Sequence, residues 1–167
     1  WYKNKFVLKM SICGLILGSI YSCLPSTFHN LDELQKIIAE QNTSIGIALL
    51  AVLVLFITTG LAAASGAPGG LFYPMLTLGG SIGLIMGSWV EIATGHAPST
   101  YIFAGMGAFV AGCSRTPITA MFLAFALTKN LLIMKPVLIS CFASFLIARA
   151  FNEESIYERQ IQIELED

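Results

Sequence analysis

The chain has 167 residues, 56% of them hydrophobic and 11% charged, with a net charge of -1 and a mean hydropathy of +0.77. Soluble domains carry roughly 25% charged residues, so this composition marks an integral membrane protein of the all-α, multi-pass kind. The near-balanced charge and the lack of a basic stripe give no footing for a nucleic-acid partner.

Lys3, Lys5 and Lys9 run into the first apolar segment without a small-residue cleavage pattern, and no initiator methionine opens the chain. The sequence therefore reads as a fragment, or one half of a longer polypeptide. Residues 6–24 are long enough to span with tilt, and Gly14 and Gly18 form a GxxxG-like pair expected to serve as a packing face. Pro25 ends this segment. Residues 25–44 turn polar, with Leu31, Leu34, Ile37 and Ile38 at helical spacing among Asp32, Glu33, Lys36 and Glu40, which predicts an amphipathic linker helix lying in the membrane interface. His29 sits in this solvated stretch, where capping suits it better than metal binding.

Residues 45–64 carry no charge and meet the ~20-residue length of a spanning helix, with Thr58 and Thr59 able to bond back to their own turns. Then comes the break SGAPGGLFYP, residues 65–74. Gly66, Gly69 and Gly70 permit backbone angles closed to other residues, while Pro68 and Pro74 stop or start helices. No charge lies between Glu40 and Glu91, so the break belongs at membrane depth. Irregular backbone is tolerated there only against protein or a cavity. The amides of Leu71 and Phe72, at the start of the next helix, are thus expected to face a ligand, and about half a positive charge at a helix N-terminus makes an anion the natural one.

Residues 75–90 carry Gly79, Gly80, Gly83 and Gly87, read as a small-residue face for close packing. A polar loop is expected over 91–99, a short apolar helix over 101–113, a break at Ser114-Arg115-Thr116-Pro117, a second short helix over 118–128, a loop over 129–136 and a third helix over 137–151. Repeated half-length helices fit a transporter whose broken helices aim their ends at a buried site. Arg115 at such a break reads as a helix C-terminal cap or an interfacial charge. Beyond residue 151 the charged segment 152–167 leaves the membrane as a final helix. Tyr157, at its start, is placed either to reach inward as a hydroxyl donor or to sit in an interfacial aromatic belt. Cys13, Cys23, Cys113 and Cys141 lack CxxC spacing and read as packed thiols, with no metal site.

At Gly66-Ala67-Pro68-Gly69-Gly70-Leu71-Phe72-Tyr73-Pro74 the sequence resembles the CLC family of chloride channels and chloride/proton exchangers, whose signature here is GxFxP; Gly70, Phe72 and Pro74 match it. Ala104-Gly105-Met106-Gly107-Ala108 and Arg115-Thr116-Pro117-Ile118-Thr119-Ala120 resemble the family's following helices in order and spacing. The resemblance implies an inverted-repeat fold of short, tilted and broken helices, of which residues 1–151 are the second repeat in the membrane and 152–167 lead to the cytoplasm. It implies a homodimer, with the dimer contact drawing on residues 118–127 and 137–145, and chloride as substrate with no cofactor. It also implies an anion held by the Leu71 and Phe72 amides, with Gly69, Gly70 and Pro74 shaping the loop, and by the hydroxyl of Tyr157. The family's GSGIP-type and GREGP-type motifs belong to the first repeat, so an N-terminal half carrying the gating glutamate is a required partner. Channel and antiporter stay equally open.

Other classes fit less well. An intramembrane enzyme needs a nucleophile with a base, or metal ligands, at depth, yet both histidines fall in loops and no acid lies inside the apolar segments. A P-loop would end in GK[ST], which this break lacks. A structural membrane subunit without its own transport site explains the small-residue packing but not the Gly/Pro break.

Overall fold

A computed structural model describes residues 2–24, 28, 30–39, 44–65, 72–94 and 99–151, and these are all-α. The helices are α1 (Tyr2–Cys23), α2 (Leu31–Ala39), α3 (Ile45–Ser65), α4 (Phe72–Thr94), α5 (Ser99–Ser114), α6 (Pro117–Thr128) and α7 (Leu131–Ala150). Three of them, α3, α4 and α7, are long and apolar enough to cross a membrane. At ~1.5 Å per residue, α5 and α6 reach only about 24 and 18 Å, short of the ~30 Å hydrocarbon core. The expected mixture of full and broken helices is therefore present.

The centre is α4, whose spanning window is 56% buried, against 22% for α3 and 11% for α7. It crosses α5 at very close range. A Cβ added to Gly79 would lie 2.5 Å from the Gly105 carbonyl oxygen and 2.9 Å from the Met106 Cα, and one on Gly83 would run into the Tyr101 carbonyl oxygen. Backbone touches backbone here, the arrangement that small residues make possible where lipid supplies no hydrophobic drive between helices. Met75, Leu76, Leu78 and Leu84 of α4 and Ile102, Met106 and Val110 of α5 fill the surrounding core. On the other side of α5, α7 packs through Val137 and Cys141, and the single Ser140 O–H lies within reach of two carbonyls, that of Ala104 (3.1 Å) and that of Val137 in its own helix (2.8 Å). Cys13, Cys113 and Cys141 are free, partly or wholly packed thiols.

The α5–α6 break falls at the expected residues. Arg115 takes a left-handed φ of 60° after the last turn of α5, and Pro117 opens α6, where its missing N–H costs nothing. The Nη2 atom of Arg115 is buried without a hydrogen-bond partner among the described residues. The role of helix-end residue thus belongs to its backbone, not to its guanidinium.

Several expectations need correcting. The segment 129–136 is not a loop: only Lys129 and Asn130 connect α6 to α7. Lys129 adopts a left-handed φ of 50° and returns its N–H to Phe125 (2.8 Å), and the Asn130 side chain accepts from the Leu132 N–H (3.0 Å). That cap and the apolar run Leu131–Met134 start the helix ahead of Pro136, which α7 absorbs near its beginning. Likewise, Glu91 does not open a loop. It stays in α4, exposed, because no breaker follows until after Thr94. Among the described residues nothing lies within 4 Å of a Cβ at Gly14 or Gly18, so the GxxxG pair does not pack against them; α1 leans on α3, with the Cys13 thiol donating to the Leu61 carbonyl (3.3 Å). Finally, α2 turns Leu34 and Ile38 onto α4 and α5, so its apolar stripe covers protein.

Candidate functional site

α4 begins at Phe72, inside the predicted break and two residues before Pro74. The leading N–H groups of any α-helix have no acceptor within it. Here they include those of Phe72 and Tyr73, since Pro74 has none. Phe72 and Pro74 are half-buried and Tyr73 is exposed. Gly69, Gly70, Leu71 and Tyr157 lie outside the described residues, as do both histidines. Among the predicted site residues, Phe72 and Pro74 are therefore located together in the first turn of α4.

Phe72 lines a cavity of about 560 Å³ between four helices. Its walls are Gln35 and Lys36 of α2, Phe72, Tyr73 and Leu76 of α4, Phe103 and Met106 of α5, and Leu123 and Leu127 of α6. Among the described residues, the lining contains one cation and no acid. Most of it is apolar, which strips water from a small ion and strengthens each remaining electrostatic contact.

Three hydroxyls along α4 are committed elsewhere. Thr77 donates to the Tyr73 carbonyl (2.9 Å), Ser81 to Thr77 (2.8 Å) and Ser88 to Leu84 (2.8 Å). A hydroxyl has one proton to donate, so these three offer an anion nothing. The lining residues whose side chains can donate are Gln35, Lys36 and Tyr73. Among the described residues, no group of three or more His, Cys, Asp or Glu is placed to hold a metal ion.

Gln35 and the α5 and α6 walls were not anticipated from sequence. The signal was available for Gln35: it shares the α2 stripe with Leu31, Leu34 and Ile38, at helical spacings of one face. It is 8% exposed, a polar residue where the pattern calls for an apolar one.

Comparisons with known proteins extend over nearly the whole chain. Residues 1–149 match the family described as "Voltage gated chloride channel". The H(+)/Cl(-) exchange transporter ClcA of Vibrio parahaemolyticus is 30% identical over 160 residues, 94% of this chain and 34% of the relative. The protein of the same name in Klebsiella pneumoniae is 31% identical over 162 residues, 95% of this chain and 34% of its own length. The crystal structure of a slow cyanobacterial Cl-/H+ antiporter superposes with a TM-score of 0.81 at 27% identity, over 92% of this chain and 38% of that one. The chain spans about a third of the length of the curated relatives it matches. Composition, the broken helices, the glycine crossing and this match agree: the chain belongs to the voltage gated chloride channel family.

Proposed function

We propose that this chain forms the second half of a chloride pathway through a membrane, in a CLC-type channel or chloride/proton antiporter. The observation that carries the reading is the start of α4 at Phe72, beside a largely apolar cavity whose described lining holds a cation and no acid. The relatives named as H(+)/Cl(-) exchangers support it. In this reading the amides of Leu71 and Phe72, with the loop residues Gly69, Gly70 and Pro74, replace part of the anion's hydration shell, and the Tyr157 hydroxyl donates to the same ion. Oriented dipoles hold an ion firmly enough to admit it and loosely enough to release it. The first half, with its gating glutamate, closes the other side of the pathway, two such subunits pair as a homodimer, and the segment 152–167 enters the cytoplasm.

Chloride efflux from liposomes containing the intact protein tests this. Gly70→Trp, which fills the loop, is expected to abolish efflux while the protein still elutes as a folded species. Retained efflux would reject the site.

A further inference from the structure

Gln35 is more than nine-tenths buried. It lines the cavity at Phe72. A carboxamide in so apolar a lining needs hydrogen-bond partners, and an occupant of the cavity can supply them. The chemistry of that occupant follows from the lining. A carboxamide can donate or accept, but Lys36 and Phe72, at the leading end of α4, line the same cavity and both bring positive charge, with no carboxylate among its described lining residues. The space is also too large for a bare halide. A water takes about 30 Å³ of liquid volume, so 560 Å³ accommodates an ion together with water.

We propose that this cavity is a hydrated vestibule on the anion route, in which the Gln35 carboxamide donates to a partly dehydrated chloride between the exposed Lys36 at its rim and the start of α4. The inference rests on the anion reading above and adds a coordinating residue and an approach path to it. Lys36, solvent-facing, raises the local anion concentration by a field that salt screens. Gln35, shielded, acts at short range and independently of salt.

The test is anion flux from liposomes containing the intact protein. Gln35→Met keeps the side chain's length and removes the donor; Gln35→Glu keeps its shape and opposes an anion with charge. Chloride flux is expected to fall about tenfold in the first and further in the second, the scale of losing one hydrogen bond to a charged group. A packing defect would slow all anions alike, so the deciding quantity is the ratio of chloride to nitrate flux, which is expected to shift in Gln35→Met. Lys36→Gln is expected to slow chloride at low ionic strength, the difference fading as an impermeant salt is added. An unchanged ratio in both Gln35 variants overturns the vestibule, whatever their absolute flux. If Gly70→Trp abolishes flux while that ratio stays constant, only this inference fails; if Gly70→Trp leaves flux intact, the anion reading fails with it.

Discussion

The crossing of α4 and α5 makes Gly79→Ala the sharpest test of the architecture. The new methyl carbon would lie 2.5 Å from the Gly105 carbonyl oxygen, 2.7 Å from the Phe109 Cβ and 2.9 Å from the Met106 Cα. Ordinary contact begins near 3.4 Å, so the helices must part by about 0.9 Å, the difference between 3.4 and 2.5 Å. None of the three obstructing atoms sits at the free end of a side chain. Overpacking of this kind costs about 1–3 kcal/mol. It is opposed by a helix-propensity gain of about 1 kcal/mol for Gly→Ala. With three fixed obstacles the steric cost sits in its upper half, for a net loss of about 1–2 kcal/mol. Gly14→Ala is the control, since nothing lies within 4 Å of that position and the propensity gain acts alone. Thermal unfolding of the intact protein in detergent should place Gly79→Ala below wild type and Gly14→Ala at or above it. Chloride efflux should fall with Gly79→Ala, because parting the helices displaces Phe72. Equal melting temperatures for the two variants would refute backbone-to-backbone packing at this crossing.

Other expectations follow from single groups. Asn130→Ala removes the acceptor for the Leu132 N–H and should lower stability by about 1 kcal/mol, with Asn130→Asp restoring it; equal thermal unfolding of both variants would show that α7 does not depend on this cap. Arg115→Gly relieves a left-handed non-glycine conformation and removes a buried donor that has no partner among the described residues, so the melting temperature should rise. A fall would mean that the guanidinium pairs with an acceptor beyond those residues. Tyr157→Phe should leave the melting temperature nearly unchanged and weaken anion selectivity or coupling. Unaltered selectivity in flux, together with unaltered anion binding by calorimetry, would remove the tyrosine from the site.

Punctuation by glycine and proline made much of the fold legible. The run SGAPGGLFYP separated α3 from α4, and Arg115-Thr116-Pro117 separated α5 from α6, because those residues act on local backbone geometry that the rest of the chain does not override. Pro136 misled for the same reason. A proline a few residues into a helix forfeits one hydrogen bond, and the Asn130 cap with four apolar residues ahead of it outweighed that loss. Gly14 and Gly18 misled because a spacing motif specifies a surface without specifying a neighbour. The helix start that places Phe72 and Pro74 in one turn was legible from the Gly/Pro pattern. Gln35 was not, because Asp32, Glu33, Lys36 and Glu40 suggested a solvated helix and hid a single polar residue on its inner stripe.

The threonine and serines of α4 carry one further consequence. Hopping conduction of protons needs side chains that rotate freely, taking a proton from one side and passing it on at the other. Thr77, Ser81 and Ser88 each have their proton pinned to a carbonyl one turn back, and each would have to break that bond at every step, about 1 kcal/mol apiece. The hydroxyls of α4 are thus a poor wire for hydrogen ions. In a coupled exchanger built on this scaffold, the two cargoes would part company before reaching the length of α4.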